Sequence, residues 1–140
     1  MVHALEEIRR VLAPGGILLD LRPLADRWPV EVVTVDGVRV MGRLTDLPSG
    51  LADDEASNEA MQEVARRGWF VCEEEQIFPM FTYWDDPDEM AAYMAERWAD
   101  FIKLEDVTFK AAGVAWKAAG ADRRVRIQMK MLLTRWQRYS

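Results

Sequence analysis

The sequence predicts a domain that combines helices and strands, either α/β or α+β, with a small mixed β-sheet and helices packed on it. Three observations predict this class: a helical spacing of apolar residues near the N-terminus, a hairpin signal at Asp36-Gly37, and an alternation of apolar and polar residues near the C-terminus. The 140 residues are half hydrophobic and include six tryptophans, which suffices for one buried core. We therefore expect a single domain, residues 1–140.

The first element is a surface helix with one apolar stripe. Its apolar residues recur at spacings of three and four, at Val2, Leu5, Ile8 and Leu12. The turn Pro14-Gly15-Gly16 ends this helix, because proline cannot continue it and glycine tolerates a left-handed cap. Residues 17–21 then form an almost continuous apolar run, which predicts a strand covered on both faces.

The middle of the chain predicts a hairpin, a helix and a long strand. Residues 31–44 favour a β-hairpin, because Asp36-Gly37 suits a two-residue turn with positive φ and valines flank it. Residues 53–68 begin with acidic residues and end with basic residues and a glycine, as a helix does. Residues 69–83 are rich in aromatic and branched side chains and predict a strand, with a bend or a bulge allowed near Pro79.

Two further helices precede the C-terminal strand. Asp86 is placed to cap a helix whose first position is Pro87. One face of that helix carries large side chains, either as core or as a dimer surface, at Met90, Met94, Trp98 and Phe101. The next helix is expected at residues 105–119.

The C-terminal segment predicts a long strand with one buried face, because apolar and polar residues alternate along it. The apolar set is Val125, Ile127, Met129, Met131 and Leu133. The polar set is Arg124, Arg126, Gln128 and Lys130.

Composition and charge argue against several functional classes. The formal net charge of −6 is unfavourable for a general nucleic-acid binder, which needs a basic surface. Cys72 is the only cysteine, so the chain has no internal disulfide, and no cluster of thiols and histidines suggests a metal site. No apolar run approaches the roughly 20 residues that span a bilayer, and no signal-peptide pattern is present. We expect a cytoplasmic protein without a membrane partner.

The opening segment, ALEEIRRVLAPGGILLDLRP, resembles the later half of a class I S-adenosylmethionine-dependent methyltransferase. In that family a helix with the pattern L-x-E-x-x-R-V-L-x-P-G-G leads into the fifth strand of the sheet. The matching residues are Leu5, Glu7, Arg10, Val11, Leu12, Pro14, Gly15 and Gly16. The later order of elements is similar to the family's final helix and its sixth and seventh strands. The resemblance therefore implies the C-terminal half of a Rossmann-like methyltransferase with an added hairpin.

The cofactor half of that family has no counterpart in this sequence. The chain contains no G-x-G-x-x-G loop, and its only adjacent glycines lie after a helix and before a strand, the wrong order for cradling a cofactor. We therefore expect a truncated fold that starts inside the helix before the fifth strand. No cofactor is expected for the isolated chain, and S-adenosylmethionine only if a partner supplies the missing half.

The strand at residues 17–21 should then have an open apolar edge, which favours aggregation or pairing. Three covers are conceivable: the hairpin at residues 31–44, a second copy of the chain, or a separate chain that carries the front half of the fold. The hairpin and the homodimer are the favoured alternatives.

Two sets of side chains are candidate sites. An aromatic pocket for a planar ligand would use Trp69, Phe78, Phe81, Tyr83, Trp84 and Trp98, although a hydrophobic core is the favoured explanation for these aromatic residues. A basic contact face for a phosphate-bearing or acidic partner would use Arg124, Arg126 and Lys130, with Arg123, Arg135 and Arg138 nearby. Its alternative is a solvent-facing side of the strand.

The remaining reactive residues have ordinary explanations. His3 lies in the first turn of a helix without a second metal-type ligand, and the acidic neighbours of Cys72 should raise the pKa of its thiol. Two acidic clusters, residues 73–75 and 85–89, suit a hard cation but equally a solvated strand and a helix cap. No catalytic residue is predicted, because no acid–base or nucleophile–base pair stands out.

Three hypotheses for function follow. The first is a non-catalytic, methyltransferase-like domain that dimerises and serves as a binding or regulatory module. The second is a subunit of a split methyltransferase whose partner holds the cofactor. The third is a small-molecule-binding protein with an aromatic pocket. The first leads because the cofactor loop is absent from the sequence and fold ancestry alone does not make an enzyme.

Overall fold

The computed structural model describes residues 1–139, which contain four helices, a five-stranded antiparallel sheet and a two-stranded sheet. In chain order the elements are α1 (Val2–Val11), β1 (Ile17–Pro23), β2 (Pro29–Thr34), β3 (Gly37–Arg43), β4 (Thr45–Asp46), α2 (Pro48–Arg66), β5 (Phe70–Trp84), α3 (Pro87–Arg97), β6 (Ile102–Lys103), α4 (Asp106–Ala118) and β7 (Arg124–Arg138). The predicted combination of helices and strands is confirmed. The sheet is antiparallel, however, where a mixed sheet was expected.

The chain divides into two compact units. The first comprises Met1–Leu24, Ala52–Phe78 and the chain from Met131 onward, and the second comprises Ala25–Leu51 and Pro79–Lys130. The long strands β5 and β7 contribute residues to both units. The strand order of the larger sheet is β1-β7-β2-β3, and β5 also pairs with β7.

In the first unit, α1 and α2 supply the helical part of a small core. Its buried residues are Leu5, Ala60, Met61, Val64, Phe70 and Trp136. Leu18 packs against this cluster from β1. The α1–β1 connection is closed by Gly15, which has φ +77° and donates its backbone N–H to Arg138 O at 3.1 Å. The apolar stripe predicted for α1 faces the core as expected, because Leu5 belongs to this cluster and Val2, Ile8 and Leu12 pack against it.

The expectation that β1 is covered on both faces is wrong. Leu19 is 62% exposed and Leu21 is 57% exposed, and Ile17 lies on the same side of the strand. Leu18, Asp20 and Arg22 alternate with them on the covered side. The physical reason is that Asp20 and Arg22 give β1 a period of two, so only one face can be fully apolar.

The added hairpin forms, but it does not cover β1. β2 pairs with β7, from Val30 opposite Ile127 to Val33 opposite Arg124, and β1 pairs with β7 alone among the strands of residues 1–139. The tight turn consists of Val35 and Asp36, because Thr34 pairs with Gly37. The turn is therefore one residue earlier than predicted.

The second unit packs α4 against the hairpin and α3 against α4. Asp86 caps α3 as predicted: its carboxylate accepts a hydrogen bond from the Glu89 backbone N–H at 2.9 Å, and Pro87 takes the first helical position. Met90 and Met94 on this helix are buried in the core. α4 also begins and ends close to the predicted residues, whereas α2 begins at Pro48, earlier than expected.

The predicted alternation along β7 holds in the second unit and changes in the first. Val125, Ile127 and Met129 are buried, as expected. Met131 is buried as predicted, and beyond it the buried side chains are the even-numbered Leu132, Thr134 and Trp136. Leu133 therefore does not share the buried side and instead lies opposite Leu21 of β1.

Candidate functional site

The edge strand β1 combines two properties that make it the leading candidate interaction site. Its odd-numbered side chains, Ile17, Leu19 and Leu21, form an exposed apolar row. It also stands at the end of the sheet order, with β7 on one side and no described strand on the other. We call this feature, Ile17, Leu19 and Leu21 with their outward backbone groups, the open edge.

The hydrogen bonds of the ladder fix which backbone groups point outward. Arg138 donates its backbone N–H to Gly16 O at 2.8 Å, so residue 16 faces β7. Because successive residues of a strand direct their N–H and C=O groups to alternate sides, the even-numbered residues of β1 bond to β7. The odd-numbered residues therefore present an exposed apolar side chain and direct their N–H and C=O groups to the side of β1 on which no strand of residues 1–139 is paired.

The covered side of β1 carries a neutralised ion pair. Arg22 donates through Nε to Asp20 Oδ2 at 3.1 Å and through Nη2 to Asn58 Oδ1 at 2.8 Å. Both charged side chains are largely buried. The strand consequently has no net charge, and nothing on its outer row repels another apolar strand.

A second feature lies in the other unit, where two arginines of β7 meet two aromatic residues of β5. We call Phe81, Tyr83, Arg124 and Arg126 the arginine face. Arg126 donates to Glu31 at 2.8 Å and to the Tyr83 hydroxyl at 3.0 Å, and its guanidinium lies 4.3 Å from the Phe81 ring centre. Arg124 lies 4.4 Å from the Tyr83 ring centre. The face thus joins parts of both predicted sites.

Arg126 is held too firmly to be a free cation. Burial opposes its charge, but the hydrogen bonds to Tyr83 and Glu31 and the negative charge of Glu31 prevail, so the pKa of Arg126 is raised. Glu31 is only 5% exposed. This pair therefore braces the sheet, and Arg124 is the exposed cation of the face.

The six residues of the predicted aromatic pocket occupy three places. Trp69 lies in the first unit, where the guanidinium groups of Arg9 and Arg67 are 5.3 and 4.9 Å from its ring centre, and Phe78 is half-buried in that unit. Phe81 and Tyr83 belong to the arginine face. The ring centres of Trp84 and Trp98 lie 6.2 Å apart. The same aromatic cluster includes Trp28, Tyr93 and Phe101.

The basic residues named from the sequence are largely engaged by internal contacts. Lys130 lies 3.4 Å from Asp26, and Arg135 lies 3.0 Å from Glu73. Arg123 stacks on Trp116 at 3.7 Å and donates to three backbone carbonyls at the end of α4. Arg138 donates to the Leu12 carbonyl. These contacts reduce the positive charge available to an external partner.

The other reactive residues remain at the surface. The His3 imidazole lies 3.4 Å from Glu6 and is exposed, and the Cys72 thiol is exposed beside the Glu74 carbonyl. Within residues 1–139, no group of three or more histidine, cysteine or acidic side chains is arranged to hold a metal ion. The same residues include no helix long and apolar enough to cross a membrane.

The residues of the Gly15-Gly16 turn do not fit a cofactor site. The Gly15 N–H is bonded to Arg138 O, and the Gly16 N–H is bonded to Ala13 O at 2.8 Å. A Cβ on Gly16 would also lie 2.8 Å from Ala13 O, so glycine is needed there for the turn itself. Neither N–H is available to cradle a phosphate or a carboxylate of a ligand.

Two cavities described in the second unit are not bordered by any of the six predicted aromatic residues. One of about 540 Å³ lies between the start of α3 and the outer side of α4, bordered by Asp86, Gly113, Trp116 and Lys117. Another, of about 370 Å³, lies beside α3 and β6 and is largely apolar.

Sequence reasoning missed two parts of these sites. Glu31 is separated from Arg126 by 95 residues, and no local pattern pairs them. The exposed row of β1, by contrast, had a readable signal, because Asp20 and Arg22 alternate with the apolar residues.

Comparison with protein-family models, curated proteins and solved structures found no match for this chain.

Proposed function

We propose that this chain is a non-catalytic, methyltransferase-like domain that works as a homodimeric binding or regulatory module, with the open edge of β1 as its association site. The observation that carries the proposal is that Ile17, Leu19 and Leu21 present exposed side chains along a strand edge on which no strand of residues 1–139 is paired. Isolated edges of this kind pair readily with another strand.

The methyltransferase-like part is supported by the position of the motif. Its residues lie on α1 and on the Gly15-Gly16 turn, which leads directly into β1. β1 is antiparallel to the last strand, β7, and β5 also pairs with β7. The resemblance implies this relation for the family's fifth, sixth and seventh strands. In the family's sheet the fourth strand pairs with the other side of the fifth strand. In this chain the corresponding side of β1 is the open edge.

The non-catalytic part is supported by the contacts of the polar residues. The two adjacent glycines bond within their own turn, and Arg126 is held by Glu31, Tyr83 and Phe81. We therefore propose that the isolated chain needs no cofactor and that its role depends on association.

The association is tested by sedimentation of the wild-type chain and two variants over a concentration series. Leu19→Lys places a charge in the open edge, and Val40→Lys makes the same change at a matched position on β3, since Val40 is 58% exposed. We expect a wild-type dimer, a monomeric Leu19→Lys chain and a dimeric Val40→Lys chain. A wild-type monomer, or equal loss of the dimer in both variants, would exclude the open edge as the association site.

The absence of a cofactor requirement is tested by calorimetric titration with S-adenosylhomocysteine. We expect no saturable heat at millimolar ligand from the dimer. Saturable one-to-one binding at micromolar affinity would mean that the dimer forms a cofactor site, and the non-catalytic proposal would fail.

A split methyltransferase is the second candidate, and the same edge favours it. A separate chain carrying the family's cofactor half would place its fourth strand beside β1. In that case S-adenosylhomocysteine would bind only to the mixed complex, and Leu19→Lys would abolish that binding together with the complex. The small-molecule hypothesis has less support, because none of its six aromatic residues borders the described cavities of about 540 and 370 Å³.

A further inference from the structure

We infer that the second copy adds to β1 across a two-fold axis that passes through Leu19, so that the two β1 strands run antiparallel with Leu19 opposite Leu19. This inference rests on the proposed homodimer and specifies its geometry. The interface would continue the sheet of the first unit into the same unit of the second copy.

The register follows from the direction of the backbone groups. Only odd-numbered residues of β1 point their N–H and C=O groups outward, because Gly16 O accepts from Arg138 N on the inner side. An antiparallel ladder on the open edge must therefore pair odd residues with odd residues. Three two-fold registers use the centre of the strand, with the axis at residue 19, 20 or 21.

The axis at Leu19 is the register without a penalty. It places Ile17 opposite the second copy's Leu21 and keeps Pro23 outside the five paired residues. It therefore gives three apolar cross-strand pairs on the exposed side and a complete set of backbone bonds. On the covered side Leu18 meets Asp20 of the second copy, whose charge is already neutralised by Arg22.

The other two registers carry identifiable costs. An axis at residue 20 leaves only two leucine pairs on the exposed side, Leu19 with Leu21 of the second copy and the reverse. It also places Pro23 opposite Ile17. An axis at residue 21 places Pro23 opposite Leu19, so that one hydrogen bond at each end of the ladder has no donor.

The other end of the sheet order shows how an edge is protected against such pairing. β3 carries Arg39 and Arg43, and the β2–β3 ladder has a bulge at Val30/Glu31. Charges and bulges are the usual means of blocking strand addition. Residues 17–21 of β1 have neither feature on their outward row, which favours the open edge over β3 as the site for a second copy.

The test is cysteine cross-linking in a Cys72→Ser background, because Cys72 is an exposed thiol and the only cysteine. The single variants are Leu19→Cys and Leu21→Cys, oxidised with diamide at equal concentration. A pair at the axis has a Cα separation of about 5.5 Å, within disulfide range. Two copies of residue 21 would lie about 13 Å apart along the strand direction, which is too far.

We expect covalent dimer from Leu19→Cys at about tenfold the yield from Leu21→Cys, since only the first pair falls within disulfide distance. An equal mixture of Ile17→Cys and Leu21→Cys should cross-link, although neither should do so alone. Efficient self-cross-linking of Leu21→Cys would place the axis at residue 21 and overturn the inference. Cross-linking between Leu19→Cys and Leu21→Cys, without self-cross-linking of Leu19→Cys, would place it at residue 20.

Amide hydrogen exchange tests the same register on the wild-type chain, without any substitution. The Leu19 amide should exchange more slowly at high than at low protein concentration, whereas the Leu18 amide, which faces β7, should not change. A sedimenting dimer without protection of Leu19 would refute this register and leave the proposed function standing. A chain that sediments as a monomer would refute both.

Discussion

Arg126 donates through Nε to Glu31 Oε1 at 2.8 Å across neighbouring strands, and the acceptor carboxylate is almost fully buried. The Arg126 side chain is 16% exposed. This pair joins β7 to the hairpin strand β2 at a point where the two residues lie directly opposite in the ladder. An ion pair so placed is costly to break, because the remaining charge stays buried without its partner.

The first prediction concerns this pair. Arg126→Ala should lower the free energy of unfolding by about 3 kcal/mol, because it leaves the Glu31 carboxylate buried and unpaired. Arg124→Ala is the matched control: it removes the same charge two residues away, from an exposed guanidinium stacked on Tyr83, and should cost less than about 1 kcal/mol. Urea unfolding measures both values. Equal losses would show that Glu31 and Arg126 do not form a buried pair.

The pH dependence of this contribution follows from the raised pKa of Arg126. A raised folded-state pKa means that the stabilisation from this group is complete below the pKa of the unfolded chain and is lost only as the pH rises through the folded value. For arginine that window lies above the range in which proteins are studied. Arg126 should therefore contribute no change in stability between neutral and moderately alkaline pH, which urea unfolding at several pH values can check.

The second prediction concerns two glycines with opposite surroundings. A Cβ on Gly42 would overlap the Thr108 side chain, whereas a Cβ on Gly113, within α4, would meet open space. Gly42→Ala should therefore destabilise the protein by about 2 kcal/mol through overpacking. Gly113→Ala should stabilise it by up to about 1 kcal/mol, because alanine favours a helix. The midpoint of thermal unfolding should thus fall for Gly42→Ala and rise for Gly113→Ala. Shifts in the same direction would contradict the close packing of Thr108 against Gly42.

The third prediction concerns the cap of α3. Asp86→Ala removes the acceptor for the Glu89 N–H and should cost about 1 kcal/mol. For a chain of this length the midpoint of thermal unfolding should fall by about 3 to 4 °C. Asp86→Asn keeps the acceptor and should retain most of the stability. If asparagine were as damaging as alanine, the carboxylate would have a role other than capping.

The Asp86 cap shows what local patterns can predict, because both its partners lie within three residues of each other. The hairpin, α4 and the first half of β7 were predicted for the same reason. The side on which β7 is buried was not, since Met131, Leu132 and Leu133 are all apolar and no alternation marks the change. The open edge was located correctly at residues 17–21, but the hairpin proposed as one of its covers pairs with β7 instead, about a hundred residues away in sequence.

The fourth prediction separates the open edge from the arginine face through the effect of salt. Two copies with a formal net charge of −6 repel each other, and the open edge is apolar with its one ion pair neutralised. Raising the salt concentration from about 0.02 to 0.5 M screens this repulsion. The dimer dissociation constant should therefore fall several-fold, as measured by sedimentation.

An association between the arginine face and the acidic residues of a second copy would weaken under the same change, because screening reduces attraction between opposite charges. A dissociation constant that rises with salt would therefore show that the copies associate through the arginine face and not through the open edge of β1.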